Sequence, residues 1–333
     1  MAWVMFTQAT SSRKQRSMYL EARSIGYAVP RTNFEASIHS IFRSATNLRL
    51  NEGDTLLTLV TSTEADLPQG IRLDAPDDFV FTLFRPGEPV TCRNEILCFG
   101  SLTIELHRAR RWKCDLPALQ ADLTNPAVAT AWRCVWQALN KRQIQLNAEI
   151  IAEDLFCSNE RVWLNTARKS GSAMRNLVEA TRRFDLTAAA SIDTLIGLGT
   201  GLTPSGDDLL VGYLAGLWCA VWDKSERVQF ISDLGKALAC LSRKTNDISR
   251  TYLYHASRGQ VSSLLTNLAE TICLGGNSDR LLDTAKTAMQ VGHTSGMDAV
   301  TGLLIGLATW IRPGAPLPLV GDRVSPLFFS VFP

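Results

Sequence analysis

The sequence predicts an α+β protein in which a β-rich region precedes a mainly helical region. Two observations lead to this prediction. From about residue 34 to residue 106, short runs rich in β-branched and aromatic residues alternate with turn clusters of Gly, Pro, Asn and Asp. Beyond residue 114, apolar residues recur at helical spacing. We therefore expect a β-rich domain at residues 1–113 and a helical domain at residues 114–333.

The β-rich region is expected to form a small antiparallel sheet or barrel, because its strands are short and turns follow every 10–20 residues. Residues 1–30 are compatible with either a short helix or an edge strand. The runs with strand character are residues 34–42, 48–50, 56–60, 79–83 and 102–106.

The helical region shows five segments with amphipathic spacing and two that are almost wholly apolar. The apolar pair, residues 209–222 and 299–311, is shorter than the roughly 20 residues that span a bilayer, so buried helices are expected and no membrane segment. Residues 312–333 are expected to end the last helix and pack back as strand or coil. The amphipathic helices are residues 124–151, 166–184, 226–243, 253–270 and 279–290.

Composition restricts the class of protein. The formal net charge is only +2, which argues against a dedicated nucleic-acid-binding protein. The eight cysteines occur singly and match no zinc-site spacing, as expected for reduced core residues. The N-terminus lacks the features of a secretory signal. These observations together predict a cytoplasmic location.

The stretch from residue 196 to residue 210 is the main candidate for a functional site. Glycines alternate at Gly197, Gly199 and Gly201 before an apolar helix. Such a loop exposes backbone N–H groups at the positive end of a helix, which suits a phosphate or carboxylate. The spacing matches neither a Walker loop nor the dinucleotide fingerprint.

Part of this stretch recurs about ninety residues later. Residues 205–217 and 295–307 share the pattern Ser-Gly-x-Asp-x-x-x-Gly-x-x-x-Gly-Leu. The Ser-x-x-Asp start predicts that Ser205 caps its own helix by accepting the N–H of Asp208. The glycines predict a close helix–helix contact. Two capped and tightly packed core helices would explain the shared residues but leave the upstream glycines and Asp207 unexplained.

Further polar residues are candidates for the same site. His293 directly precedes the second motif copy, either as an acid–base or anion contact or as a plain loop residue. Arg250 is suited to holding a carboxylate or phosphate, with a solvent-facing position as the alternative. His255 is interpreted as a helix-face residue. A Mg²⁺ site formed by Asp207, Asp208 and Asp298 is an alternative use of these carboxylates.

These motifs resemble a bacterial family long described as being of unknown function. It is now associated with a subunit of oxamate carbamoyltransferase in anaerobic allantoin breakdown. The resemblance rests on residues 197–208, 248–253 and 292–298 and on Gly259, and it covers the β-rich half only by general layout. It implies reversible carbamoyl transfer between oxalurate and phosphate, which gives oxamate and carbamoyl phosphate. It also implies partner subunits, but no catalytic residues.

We expect a carbamoyltransferase subunit that binds a small anion at the paired helix starts. The alternatives are a non-catalytic assembly or regulatory subunit and a stand-alone Mg²⁺-dependent hydrolase. The expected catalytic residues are Asp207, Asp208, His293 and Asp298, and the expected ligand-binding residues are Gly199, Gly201, Thr203, Ser205, Gly206, Arg250 and Ser295.

Overall fold

A computed structural model describes residues 18–53, 56–156, 165–222 and 224–311 of the chain. It confirms the predicted α+β order, with strands between residues 18 and 112 and the long helices between residues 126 and 308. Residues 1–17 of the segment considered at residues 1–30, and the whole segment predicted at residues 312–333, lie outside the described residues. Each region has its own cluster of buried apolar side chains.

The strands of the described part form one sheet that closes into a barrel. The hydrogen-bonded order is β5-β4-β3-β2-β6-β7-β8-β1, and β5 pairs with β1 to complete the circle. Most pairs are antiparallel, but β1 pairs in parallel with β8 and β9, and β4 pairs in parallel with β5. The strands are β1 (Met18–Gly26), β2 (Phe34–Ile41), β3 (Ala45–Leu50), β4 (Leu56–Val60), β5 (Gly70–Asp74), β6 (Pro89–Arg93), β7 (Ile96–Phe99), β8 (Leu102–Glu105) and β9 (Arg110–Trp112).

The strand predicted at residues 79–83 is wrong. This segment contains a short 3₁₀ turn, Phe81–Leu83, in which the Phe81 N–H donates to the Arg43 carbonyl and the Phe81 ring is fully buried. Aromatic residues here fill the barrel instead of pairing with a neighbouring strand, and Phe79 packs edge-to-face on Phe81. Four observed strands, β5, β6, β7 and β9, were not predicted: β7 is only four residues long, and the other three are short and begin with or contain glycine, proline or charged residues.

The helical region follows the predicted segments with two differences. The prediction of one helix over residues 253–270 is wrong. One helix ends at Ala256 and the next begins at Ser263, and Gly259 between them has φ +72°. One short helix, at Ala188–Leu195, was not predicted. The described helices are α1 (Pro126–Gln145), α2 (Asn165–Arg182), α3 (Ala188–Leu195), α4 (Ser205–Cys219), α5 (Ser225–Leu241), α6 (Asp247–Ala256), α7 (Ser263–Cys273), α8 (Ser278–Met289) and α9 (Ser295–Ala308).

Within these ranges, none of the helices combines the length and the hydrophobicity that a bilayer crossing demands.

The two motif helices, α4 and α9, lie side by side in the same direction at the centre of the helical region. A Cβ added at Gly212 would lie 1.8 Å from the Ala299 carbonyl oxygen, and one at Gly302 would lie 2.0 Å from the Leu209 carbonyl oxygen. Ala299 and Leu209 occupy equivalent positions in the two copies of the motif. The contact is therefore reciprocal, and it requires glycine on both helices.

The predicted capping role of Ser205 is wrong. The backbone N–H of Asp208 donates to the Pro204 carbonyl, and Pro204, not Ser205, is the residue that precedes the first turn of α4. Thr294 precedes α9 in the same way, also without a side-chain cap. Both motif serines are inside the first turn, and this frees their hydroxyls to contact the neighbouring helix.

Candidate functional site

A cavity of about 750 Å³ lies between the barrel and the helical region. Its size falls in the range of roughly 300–1,000 Å³ that small-molecule sites occupy. Strands β3 and β4 and the loop before β5 form one wall. The other walls are α6, the segment after α1, and the starts of α4, α7 and α9. Three helix N-termini therefore lie at one partly open cavity.

The barrel is held against this space by specific contacts. The Ser263 N–H donates to the Asp66 carbonyl at 2.9 Å, and the Asp66 N–H donates to the Ser263 hydroxyl at 3.0 Å. On the other side of the barrel, the Leu56 N–H donates to the Thr251 hydroxyl at 3.2 Å. These bonds attach the loop before β5 to α7 and strand β4 to α6. The barrel is therefore hydrogen-bonded to the helical region on both sides of the cavity.

At the starts of α4 and α9 the two motif copies exchange contacts. The hydroxyls of Thr203 and Ser295 are 2.8 Å apart and hydrogen-bonded. The Asp208 carboxyl receives hydrogen bonding from Ser295 and Thr203, whereas the Asp298 carboxyl receives it from Ser205. Each aspartate therefore accepts a hydrogen bond from the serine of the other motif copy.

Both of these carboxyl groups are protonated more readily than in water. Burial raises the pKa of Asp208 well above its ordinary value, and the charges of Asp298 and Asp207 raise it further. Burial likewise raises the pKa of Asp298 to about 7. The hydroxyl groups only partly offset these shifts. In each residue the Oδ2 atom is buried without a hydrogen-bond partner, so the pair is incompletely satisfied by the protein itself.

Asp207 lies on the opposite side of α4, away from the cavity. Its Oδ1 accepts the Gly197 N–H at 2.8 Å, and its Oδ2 accepts the Thr245 hydroxyl. Burial raises its pKa, and the bonds from Thr245, Gly197 and Ser249 lower it. The Asp207 carboxyl therefore links the glycine loop to the residues before α6 through hydrogen bonds.

The glycine loop has two parts. Gly199, with φ +109°, packs so closely on Ser205 that a Cβ would lie 2.9 Å from the Ser205 nitrogen. Gly201, with φ +103°, has open space around it and lines the cavity. The first-turn amide of Gly206 is occupied, because it donates to the Leu198 carbonyl at 2.8 Å. Neither Gly199 nor Gly206 lines the cavity, so fewer N–H groups face it than the sequence suggests.

Arg250 also lies outside the cavity. Its guanidinium donates to Asp247 Oδ1 at 2.5 Å, and the same carboxylate binds Arg49 and, at 3.2 Å, His39. Burial is the largest single effect on the pKa of Asp247 and raises it. The hydrogen bond from Arg49 and the charges of Arg49 and Arg250 together outweigh burial, so the pKa is lowered. This cluster connects strands β2 and β3 to α6.

Of the remaining predicted residues, His293 is exposed at the cavity rim, and Ser295 lines the cavity with Thr203 and Ser205. The structure adds residues that sequence reasoning missed. Tyr252 and His255 face the cavity from α6, where their three-residue spacing places them on one face. Burial raises the pKa of Tyr252 to about 12, and the nearby charges of Asp208 and Glu64 act in the same direction.

Gln69 was missed as well, because the residues around it carry only a turn signal. The Tyr252–His255 spacing was visible in the sequence, but nothing indicated which face of α6 would be covered.

No metal-ion site is assembled among the described residues, since nowhere do three His, Cys, Asp or Glu side chains converge suitably. Asp207, whose two oxygens are occupied, does not join Asp208 and Asp298. The site that was expected from all three carboxylates, Asp207, Asp208 and Asp298, is therefore not assembled among the described residues.

Two family models match the chain and together cover most of it. The model described as "Oxamate carbamoyltransferase subunit AllH" matches residues 195–307, and the model "AllH family N-terminal domain" matches residues 16–111. The chain belongs to the AllH family. No solved structure matches it.

The AllH match includes both motif copies, α6 and the starts of α4, α7 and α9, whereas the N-terminal match covers nearly the whole barrel. The cavity of this AllH subunit is thus lined by residues from both matched segments. Among the residues that the structure describes, its lining contains the acidic residues Glu64, Glu149 and Asp208 but neither lysine nor arginine. This chain is accordingly a subunit of a carbamoyltransferase.

Proposed function

We propose that this subunit binds a small carboxylate carrying a carbamoyl or amide group, such as oxamate or oxalurate, in the cavity at the paired helix starts. The observation that carries the proposal is the buried, unpartnered Oδ2 atom of Asp208, a residue that lines the cavity, together with the unpartnered Oδ2 of Asp298, whose charge acts on Asp208. An unpaired buried polar atom costs about 1–3 kcal/mol, and a bound ligand would relieve that cost.

The carboxylate end of the ligand would lie at the helix starts. Burial raises the pKa of Asp208 well above its ordinary value, which favours the protonated carboxyl that can donate a hydrogen bond to the ligand carboxylate. The hydroxyls of Thr203, Ser205 and Ser295 are further donors, and the dipoles of α4 and α9 favour negative charge there. Asp207 acts as a positioning residue that holds the glycine loop in place.

In the described ranges of the chain, the cavity offers no basic side chain for a phosphate group, which carries more charge than a carboxylate. In the proposed reaction the phosphate of carbamoyl phosphate is therefore bound by arginine or lysine residues from another subunit. This division of the substrates agrees with a family described as one subunit of a larger enzyme.

The test is oxamate binding measured by calorimetry on the wild-type chain, Asp208→Ala and Ser295→Ala. Asp279→Asn, at an exposed position in α8, is the control. We expect both site variants to lose at least about tenfold in affinity and the control to bind like the wild type. In the assembled complex, Asp208→Ala should also slow carbamoyl transfer to oxamate. Unchanged oxamate affinity in Asp208→Ala would contradict the proposal.

A purely structural role, as in an assembly subunit, accounts for only part of the motif. Close packing explains Gly212 and Gly302, whose added Cβ atoms would meet the facing backbone. It does not explain why two carboxyl groups each keep a buried oxygen without a partner, whereas ligand binding does.

A further inference from the structure

A second set of unpartnered polar atoms lines the same cavity. His255, on α6, is 4% exposed, and neither its Nδ1 nor its Nε2 has a hydrogen-bond partner. Gln69, in the loop before β5, is 2% exposed, and its Oε1 also lacks a partner. Buried polar atoms in folded proteins are almost always paired, so three unpaired atoms on two residues that line one cavity indicate groups available to a ligand.

The chemistry of these atoms defines what they can bind. Burial lowers the pKa of His255 to about 4, and the charge of Arg258 lowers it further. The Gln260 side chain lies near the ring and partly offsets this shift without reaching hydrogen-bond geometry. At neutral pH the ring is uncharged and offers one donor and one acceptor, whereas Gln69 Oε1 offers a further acceptor.

We propose that His255 and Gln69 form a subsite for an uncharged carboxamide or ureido group. This assignment rests on the proposed function, which places the carboxylate of the same ligand class at the helix starts. A carboxamide has a carbonyl oxygen that accepts from the histidine N–H and an N–H that donates to Gln69 Oε1. A carboxylate has acceptors only, so it would leave Gln69 Oε1 unpaired.

The subsite therefore selects the ligand. Oxamate carries a carboxylate and a carboxamide, whereas oxalate has a second carboxylate in place of the amide. The neutral histidine provides no positive charge to hold that second carboxylate. Oxamate satisfies both ends of the cavity, and oxalate satisfies only the helix starts.

The experiment measures oxamate and oxalate binding by calorimetry at neutral pH on the wild-type chain, His255→Phe and Gln69→Leu. His107→Phe is the matched control, since His107 is half-exposed on the barrel and pairs with Glu105. The melting temperature of each unliganded variant is recorded as well. Removing unpaired buried atoms relieves their desolvation cost, so a residue kept for a ligand should not lower the melting temperature when it is replaced.

We expect the wild type to bind oxamate at least about tenfold more tightly than oxalate. His255→Phe and Gln69→Leu should each weaken oxamate binding by a similar factor, leave oxalate binding nearly unchanged, and melt at or above the wild-type temperature. His107→Phe should bind both ligands normally.

Three results would overturn the subsite. The first is normal oxamate binding in both variants, and the second is a marked loss of melting temperature or failure to fold in both, which would make the side chains structural. The third is equal binding of oxamate and oxalate by the wild type. In this last case the loss of both ligands in Asp208→Ala would leave the proposed function standing, whereas no binding of either ligand by the wild type would overturn both proposals.

Discussion

The hydroxyl groups of Thr203 and Ser295 are hydrogen-bonded at 2.8 Å although 92 residues separate them in the sequence. This bond joins the loop residue two positions before α4 to the first residue of α9, and both hydroxyls hydrogen-bond the carboxyl group of Asp208. The two copies of the motif are thus parts of one structure, in which each copy completes the other.

The glycines between α4 and α9 are required for stability. In Gly212→Ala and Gly302→Ala, the new methyl group would collide with a backbone carbonyl oxygen, which no side-chain rotation relieves. We expect each change to lower the free energy of unfolding by about 2 kcal/mol or more, measured by denaturant titration. Gly171→Ala, in α2, is the control: a Cβ there would meet its nearest atom at 3.5 Å, so stability should hold or rise. Equal effects at Gly212 and Gly171 would contradict the close contact.

The adjacent residues Asp207 and Asp208 should respond differently to truncation. Asp207→Ala removes the acceptor for the Gly197 N–H and the Thr245 hydroxyl, and we expect a loss of about 1–3 kcal/mol in the free energy of unfolding. Asp208→Ala removes a carboxyl group with an unpaired buried oxygen, so its melting temperature should stay close to that of the wild type. The prediction fails if the two variants are equally stable.

Asp298 should make the protein less stable as the pH rises. Its pKa is about 7 in the folded protein, above the ordinary aspartate value of 3.8. Between these values the unfolded chain has lost the proton and the folded chain still holds it, so the favourable contribution present at low pH disappears as pH rises toward 7. Relative to wild type, Asp298→Asn should gain stability from pH 5 to about pH 7 and then level off. Denaturant titrations of both proteins across pH 5–8.5 would check this, and a constant difference would refute it.

The Asp247 cluster should stabilise the attachment of the barrel. Asp247→Ala would leave Arg49, Arg250 and His39 without their shared carboxylate, and we expect a loss of about 1–2 kcal/mol that shrinks at high salt. Glu179→Ala, which breaks an exposed pair with Arg183, should change the free energy of unfolding by less than about 0.5 kcal/mol. Thermal melting at two salt concentrations measures both. Similar small effects would argue against the cluster as a stabilising contact.

Much of the architecture was predictable because it depends on local patterns. Turn residues and β-branched runs indicated the β-rich half, and helical spacing indicated most of the helices. The segment around Gly259 was predicted as continuous helix because apolar residues continue through it, whereas its positive φ interrupts the helix. The segment around Phe81 has strand composition, but its ring fills the barrel interior.

For the candidate site, the sequence by itself determined the motif residues, the repeat and the presence of two buried glycine-bearing helices. Only the tertiary structure decided which contacts each polar residue makes. The surroundings of a side chain on a helix depend on which faces of that helix the neighbouring elements cover. Asp207 and Asp208 are adjacent, yet α4 turns one toward Thr245 and the other toward Ser295. Packing of α6 against the barrel brought His255 into the cavity and left Arg250 outside it. Burial then set the protonation of these groups, and burial is a property of the assembled fold.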